Sequence, residues 1–569
     1  GLCGVGGTDA VMTLNLSLAV LIPLNLSGML YPKYISQVCT LKLAVEHVNT
    51  RNASIVPELA NLRPGFSMSY TLLDTQFNAP DAVDALMTYL FQSRELADSV
   101  PRAVLGPLLS EIAKPTALLA GAEQVPMVSY RASAPELSSP TYKFFARTFP
   151  PDTTAARLLV HLLYNSAFKD WNNVAVMHQD DAWGKGYVTR MELEFRRSIL
   201  HTATEAAEKD ALPRTLLPFP FTKADDGSVA RALDAVNSSS YSVIVLVGNF
   251  VGTSSFEKLL EEADTRGLVT EKHAWFIVEG RSTFKNNIEQ LPDEQQTRVR
   301  SLMSGMQSFQ LDASRQPGWA RYFRAMRSMT PSQCANPFFT PDAQLFSDLV
   351  DGNHYEFETS LFDGVAAIAL AMNAADEDAA EGQEALSVGE KLRKKLLNVS
   401  FDGASGPVAL DAQGDRDSTT IQFALESFGD PLSVEPLTLA YEVYEVFMNT
   451  SSTTFEMAAT KKADVQWIGG RKGTAAQPED AITRKLLDKR EAVKQTEREA
   501  ARRETMRETT MVVATSIGLL IAIVATLGLT TWSVRVRRVA HLYQVSPWQL
   551  IRDRMAAKTR AVHFVFVKV

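Results

Sequence analysis

Three side chains able to bind a ligand lie directly after apolar runs of the sequence. Ser110 follows the run RAVLGP and begins a helical pattern, Ser133 follows VPMVSY, and Glu279 ends AWFIVEG. In an open α/β domain a ligand site lies beyond the carboxyl ends of the strands, where loops and helix N-termini offer unpaired N–H donors. Ser110 can therefore either cap its helix or leave those donors to a ligand carboxylate. The residue pattern leaves both roles open.

Patterns typical of enzymes and metal sites are absent from the sequence. No H-E-x-x-H, C-x-x-C, Walker or G-x-S-x-G pattern occurs, and none of the eight His residues has a second His three to five residues away. Asp180 and Asp181 could bind a cation or act in acid–base catalysis, but their position before a helical pattern favours Asp181 as an N-cap. We therefore predict a protein that is not an enzyme and that needs no cofactor or metal.

Strand and helix patterns alternate along most of the chain, which predicts α/β lobes with parallel sheets. Two doubly wound lobes follow from two series of such units that divide near residue 150. The predicted first lobe covers about 14–148 and 282–400, and the second covers about 149–281 and 401–478. After residue 401 the period becomes alternating and predicts antiparallel strands. Residues 1–13 are predicted to be a disordered start.

A run of 24 uncharged residues, Met511–Val534, predicts one transmembrane helix, because about 36 Å of helix can cross a hydrocarbon core of about 30 Å. Before it, 479–510 is a charged helical pattern whose polar seam favours a solvated stalk over a coiled coil. After it, 535–569 carries eight Lys or Arg and one acid, which predicts a cytoplasmic segment.

Glycosylation sequons support the same orientation, because they occur only before the predicted span. They lie at Asn15, Asn25, Asn52, Asn237, Asn398 and Asn449. The predicted protein is therefore a type I single-pass plasma-membrane protein with a large extracellular part, and the missing signal peptide indicates a fragment. A net charge of −8 and 46% hydrophobic residues fit a soluble ectodomain and suggest no nucleic-acid partner. Three cysteines predict no disulfide framework.

Several motifs occur in an order that resembles one receptor family. They are VLGPLLSEIAKPTALLAGAEQVPMVSYRASAPELSS from Val104, YKFFARTFPPD from Tyr142, WNNVAVMHQDDAWGKGY from Trp171, FDGASGPVALDAQGDRD from Phe401, and a Trp-x-Gly-Gly phrase at Trp467. These resemble the receptor family ligand-binding region of natriuretic peptide receptors and class C G-protein-coupled receptors. The resemblance covers about Leu14–Pro478 and implies a bilobed clamshell of the type I periplasmic-binding-protein kind.

The resemblance implies a role for four residues. Ser110 and Ser133 match positions that hold an amino-acid ligand, Trp183 an aromatic that stacks on the ligand, and Glu279 an acid that pairs with the ligand's amino group. Each also has a structural alternative: a helix cap, a loop turn, a hinge contact and a solvated acid, respectively. The family's cysteine pair in the first lobe cannot be placed, since Phe77 stands where one partner is expected.

The resemblance also implies homodimers, packed through the first-lobe helices Asp81–Ala97 and Leu109–Ala122. Leu86, Met87 and Leu90 could form that interface, although the same helices need an apolar face for their own sheet.

We therefore expect a single-span receptor whose clamshell closes on a small, amino-acid-like ligand or binds a peptide, and signals to a cytoplasmic effector absent from this chain. Two alternatives stay open: the ectodomain and first span of a class C receptor, and a membrane-tethered solute-binding protein that serves a transporter.

Overall fold

The structure is a computed structural model that describes residues 14–526 except for the following gaps: 27–28, 31–34, 97–101, 167, 169–170, 203–213, 223–224, 249, 251–254, 289–290, 338–340, 342, 344–345, 348–355, 381–385, 418, 420, 430–436, 448–454 and 475–476. The described residues up to Thr483 form one compact unit, and those from Arg484 form a second.

Seventeen strands are present in the described part of the chain. They are β1 Leu14–Ile22, β2 Asn25–Leu26, β3 Met29–Leu30, β4 Phe66–Asp74, β5 Arg102–Leu105, β6 Met127–Ser129, β7 Phe145–Arg147, β8 Asn173–Gln179, β9 Thr215–Phe221, β10 Val243–Val247, β11 Ala274–Val278, β12 Gln307–Leu311, β13 Ser400–Gly403, β14 Gly406–Ala409, β15 Gln422–Phe428, β16 Leu437–Phe447 and β17 Phe455–Lys461.

The α-helices of the described residues connect these strands. They are α1 Ile35–Thr50, α2 Ala79–Leu96, α3 Ser110–Ala122, α4 Asp152–His161, α5 Ala182–Thr202, α6 Asp226–Ser239, α7 Ser255–Thr265, α8 Gly280–Asn287, α9 Asp293–Met303, α10 Pro317–Arg327, α11 Pro331–Cys334, α12 Glu356–Ala380, α13 Val388–Leu396 and α14 Ala481–Thr526.

Two large sheets organise the first unit. The first sheet has the order β4-β1-β5-β6-β7 and is parallel throughout. The second has the order β17-β16-β15-β12-β11-β10-β8-β9, in which β8 to β12 are parallel and β15 to β17 are antiparallel. The predominance of parallel pairs confirms the predicted α/β class and fits a periplasmic-binding-protein-like domain.

Helices cover both faces of each sheet, because alternate side chains of a strand point to opposite faces. In β1, Leu18 and Val20 face a core that includes α1 and α12, whereas Ala19 and Leu21 face α2 and α3. The second sheet repeats this arrangement, with α4 and α5 on one face and α6, α7 and α9 on the other. Both sheets are therefore doubly wound, as the alternation predicts.

Residues 282–311 differ from the sequence expectation, which grouped them with the first sheet. Strand β12 pairs with β11 of the second sheet, and Phe284, Val299 and Met303 of the preceding helices pack on the second sheet's outer face. The helices α8, α9 and α10 and the strand β12 lie in a segment for which the sequence pattern predicted no elements. These helices are short and mostly polar, and α9 and α10 each bury only a few residues, such as Val299 and Met303 in α9 and Tyr322 and Met326 in α10.

The structure joins Cys39 of α1 to Cys334 of α11 in a disulfide with Cα atoms 4.6 Å apart. The cysteine count predicted no disulfide framework, and this single pair was not predicted because 295 residues separate its members.

Helix α14 continues from the predicted stalk into the first part of the predicted span. None of the helices within the described residues has the length and apolar character that a membrane crossing requires. Residues 527–534 of the predicted span lie outside the described residues, as do the predicted start 1–13 and the basic segment 535–569.

Candidate functional site

The candidate site lies where the carboxyl ends of β6, β8 and β11 meet. The loop after β6 supplies Arg131 and Ser133, and Asp152 begins α4. Helix α5 follows β8 and supplies Trp183 and Tyr187, and Glu279 directly follows β11. The two sheets thus contribute from strand ends, the position at which α/β sheets bind ligands.

Ser110 supports the loop that carries Ser133. Its Oγ accepts a hydrogen bond from the backbone N–H of Ala134 at 3.1 Å, and its side chain is buried. The N-cap of α3 is Leu109, which has no side-chain cap hydrogen bond. Ser110 therefore orders the neighbouring loop, a role that neither sequence alternative included.

Ser133 is buried, and its Oγ has no hydrogen-bond partner among the described residues. Its backbone carbonyl accepts from the N–H of Asp152 at 2.9 Å. This bond places the hydroxyl beside the first turn of α4.

Asp152 is buried, and its Oδ2 likewise lacks a hydrogen-bond partner among the described residues. Burial, together with the charge of Glu279, raises the pKa of Asp152 to about 7, while Ser133, Trp183 and Arg147 oppose the rise. The Ser133 and Trp183 side chains thus face this carboxyl closely enough to favour its charged form, although their geometry falls short of a hydrogen bond. Asp152 was missed at the sequence level, although it is the final acid of the FARTFPPD motif.

Trp183 and Tyr187 are one turn apart on α5, and their ring centroids are 6.3 Å apart in an edge-on arrangement. Both are buried, and neither the indole Nε1 nor the phenol oxygen has a hydrogen-bond partner in the described part of the chain. Burial raises the pKa of Tyr187 well above its usual value, and the charges of Asp152 and Glu279 add to the rise. The phenol is thus neutral and a donor.

Glu279 is held in a left-handed backbone conformation with φ of 55° at the start of α8. Its Oε2 accepts from Nη2 of Arg131, so an ion pair joins the loop after β6 to the loop after β11. The Arg131 guanidinium also lies 5.6 Å from the ring centroid of Phe357. Glu279 is therefore paired within the protein and is not the solvated acid of the alternative interpretation.

Arg147 holds the loop that carries Ser133 in place through hydrogen bonds to the backbone on both sides of Ser133. Its fully buried guanidinium donates to the carbonyls of Ala132 and Ala134 at 3.0 Å each, to Ser138 Oγ at 2.7 Å and to Asp415 Oδ1 at 2.7 Å. Such multiple charged hydrogen bonds use the planar fork of arginine. Arg147 and Asp415 lie in two separate motifs of the sequence, and only the fold shows that they form an ion pair.

The site offers a carboxyl, two hydroxyls, an indole N–H and aromatic faces within one buried cluster. Buried polar groups are normally hydrogen-bonded, so a cluster of such atoms without protein partners is suited to a polar ligand. The described residues contain no group of three or more His, Cys, Asp or Glu that could hold a metal ion.

The predicted glycosylation positions are accessible where the structure describes their side chains. Asn15, Asn52, Asn237 and Asn398 are exposed. The side chain of Asn25 and the whole of Asn449 lie outside the described residues. Use of these sequons stays a prediction.

Comparison with known proteins identifies the family of this arrangement. Residues 39–423 match the family described as receptor family ligand binding region. Taste receptor type 1 member 3 of Homo sapiens is 31% identical over 221 residues, which cover 36% of this chain and 23% of that receptor. Glutamate receptor 3.1 of Oryza sativa subsp. japonica is 23% identical over 389 residues, which cover 62% of this chain and 36% of that protein. The chain thus matches only a minor part of each relative's length.

Proposed function

Because the chain belongs to the receptor family ligand-binding region, we propose that its first unit is the extracellular clamshell of a cell-surface receptor, which closes on a small ligand. The two sheets form its two lobes, and the ligand shifts an equilibrium between open and closed arrangements. The matched relatives are named as receptors, which supports a binding function.

One observation carries this proposal: four buried polar atoms lie in one cluster and make no hydrogen bond of regular geometry to another described residue. They are Ser133 Oγ, Asp152 Oδ2, Trp183 Nε1 and Tyr187 OH. An unsatisfied buried polar group costs about 1–3 kcal/mol, so a ligand that completes these bonds gains affinity and specificity. Polar atoms without good hydrogen bonds destabilise a protein core, whereas the same atoms can bind a polar ligand.

The proposed ligand is amino-acid-like. An ammonium group would pair with Asp152, and its binding would favour the ionised carboxylate. Ser133 and Tyr187 would donate to a carboxylate or carbonyl of the ligand, and Trp183 would cover its side chain. The names of the matched relatives, a taste receptor and glutamate receptors, suit a small ligand better than a peptide.

The test is the thermal stability of the purified full-length chain in detergent micelles, measured against a panel of amino acids, their amides and short peptides. A ligand that binds only the native state must raise the unfolding temperature. We expect Asp152→Asn and Ser133→Ala to abolish the shift given by an active amino acid. Asp180→Asn is the matched control, because Asp180 lies at the end of β8 but is paired with Lys185 outside the cluster.

The proposal is wrong if no amino acid or amide shifts the unfolding temperature, or if the shift survives in both cluster variants. Stabilisation by peptides alone would favour a peptide receptor, and would leave the four polar atoms without this role.

Transmission to the membrane is proposed to begin at the end of the second lobe. Asp480 accepts from the backbone N–H of Asn173 at 2.8 Å and from that of Thr483 at 2.9 Å, and Trp171 Nε1 donates to the carbonyl of Pro478 at 2.8 Å. The first turn of α14 is thereby fastened to the start of β8, so a movement of the second lobe would carry this turn with it.

We also propose the type I topology, with one span at 511–534, a cytoplasmic effector and a homodimer through the first lobe. The sequons and the basic residues after the run support it. A mobility shift on deglycosylation that Asn237→Gln and Asn398→Gln diminish is the expected result in a secretory host. The two alternatives, a class C receptor and a tethered solute-binding protein, predict the same mobility shift. A signalling response to ligand in cells that express the protein would exclude the tethered solute-binding protein.

A further inference from the structure

The ion pair between Arg131 and Glu279 places a cation of the protein inside the proposed ligand cleft. Both side chains are mostly buried, with 12% and 20% of their surfaces exposed. Arg131 follows β6 of the first sheet and Glu279 follows β11 of the second, so the pair crosses from one lobe to the other. The ring of Phe357 lies against the guanidinium and helps to hold it there.

Glu279 and Asp152 belong to one electrostatic cluster, since the charges of both acids raise the pKa of Tyr187. Glu279 acts on both Asp152 and Tyr187. Its carboxylate is nevertheless engaged by Arg131, whereas Asp152 Oδ2 has no hydrogen-bond partner among the described residues. The two acids are thus not equivalent toward a ligand.

Arg147, the cation whose charge acts on Asp152, already has protein partners for its donors. Arg147 donates to Asp415, Ser138 and two backbone carbonyls. Arg147 therefore contributes its charge to the cluster, but its N–H groups donate to protein acceptors and not to a ligand. Arg131 is the cation whose partner is an acid of the cleft itself.

We infer that Arg131 is a specificity-determining residue: it acts as a built-in cation that occupies Glu279 and leaves Asp152 as the acid for a ligand ammonium. The inference rests on the proposed function and narrows its ligand class. Ligands with one positive charge are accepted, whereas a second ammonium would have to displace Arg131 from Glu279. Removing the guanidinium opens the second acid and changes the preference toward dications.

The experiment compares 1-aminopropane with 1,3-diaminopropane, at equal ionic strength, as probes of the full-length chain in detergent micelles. Apparent affinities come from the dependence of the unfolding temperature on probe concentration. The unmodified chain is expected to bind the diamine no more tightly than the monoamine. Arg131→Gln is expected to bind the diamine about fivefold more tightly than the monoamine, the effect of one additional partly exposed ion pair.

Three further variants keep the test decisive. Arg131→Lys retains the cation and should retain the preference of the unmodified chain. Glu279→Gln leaves Arg131 without its acid, so an uncompensated positive charge in the proposed cleft should weaken binding of both amines. Arg231→Gln removes an exposed Arg–Asp pair elsewhere on the second lobe and should change nothing.

Each outcome bears on a different statement. The role of Arg131 is overturned if the unmodified chain and Arg131→Gln show the same preference between the monoamine and the diamine. It is also overturned if neither protein binds either amine. Diamine binding by Arg131→Gln when the unmodified chain binds neither amine supports the role of Arg131 while contradicting the proposed amine-binding function of the native cleft.

Discussion

Gly186 of α5 lies directly against Pro135 in the loop that follows β6. A Cβ atom added at Gly186 would come within 2.7 Å of Pro135 Cδ, closer than nonbonded carbon atoms approach. This contact joins a helix of the second sheet to a loop of the first. It allows Trp183 and Tyr187, on either side of Gly186, to reach the Ser133 loop.

We expect Gly186→Ala to separate the two lobes or to destabilise the protein by about 1–3 kcal/mol, the usual cost of an overpacked contact. The proline ring is rigid and cannot move aside as a flexible side chain can. Unfolding in urea and the radius of gyration from X-ray scattering measure the two effects. Gly121→Ala in α3 is the control, because its Cβ would meet no atom within 4 Å and alanine favours a helix by up to about 1 kcal/mol. Identical behaviour of the two variants would contradict the role of the contact.

Asp152 should make the folded protein less stable as pH rises. Its folded-state pKa of about 7 lies above the ordinary value of 3.8, so the folded state binds the proton more tightly than the unfolded state. Stability contributed by this group is present below about pH 4 and is lost as pH approaches 7, by about 1.4 kcal/mol for each pH unit.

Comparison of Asp152→Asn with the unmodified chain isolates this contribution. Burial also raises the pKa of Asp363, to about 6, and both proteins retain that contribution and those of the histidines. The difference in unfolding free energy between Asp152→Asn and the unmodified chain should therefore change across pH 4–7. At pH 8 the variant should be the more stable protein, although the charge of Arg147 partly stabilises the ionised Asp152 carboxylate. A difference that is constant from pH 5 to pH 8 would show that Asp152 titrates normally.

Replacement of Arg147 by lysine should destabilise the protein by about 3 kcal/mol or more, because an ammonium cannot satisfy the same partners and leaves Asp415 buried with a weakened pair. The Ser133 loop should loosen as well, so that any ligand-induced rise in unfolding temperature decreases. Urea unfolding and the ligand panel check the two parts. Arg231→Lys, at an exposed ion pair, should change unfolding by less than about 1 kcal/mol. A loss of similar size in both variants would refute the role of Arg147.

The proposed dimer should depend on the outer surface of α2 and α3. Met87, Phe91 and Leu118 are exposed by 38%, 50% and 47%, whereas Leu86 and Leu90, considered for the interface from the sequence, are buried against the first sheet. We expect Phe91→Asp with Leu118→Asp to shift the full-length chain toward monomers in analytical ultracentrifugation. Leu193→Asp, at an exposed leucine of α5, should not. An unchanged dimer in the double variant would place the interface elsewhere, and a monomeric unmodified chain would contradict the proposed homodimer.

The order of the elements could be predicted because local patterns specify it. Buried parallel strands such as VIVLV and AWFIV read as continuous apolar runs, and the helices between them carry one apolar face. The segment 282–311 could not be assigned to its sheet in this way, because sheet membership depends on pairing partners distant in sequence.

Part of the candidate site also followed from the sequence. Ser133, Trp183 and Glu279 lie at strand ends or directly after them, and the structure brings them into one cluster. Ser110 lies beside that cluster and orders its loop. Which of their atoms are satisfied within the protein could not be predicted, since the answer depends on side-chain directions across two sheets.

The sequence by itself determined the α/β class, the family and the strand-end positions of the candidate site residues, because periodicity and motif order are local properties. Only the tertiary structure decided that Glu279 pairs with Arg131, that Asp152 is buried beside it, and that Cys39 joins Cys334. These relationships arise when loops from separate sheets meet, and burial then sets the charge and the unmet hydrogen bonds of each group.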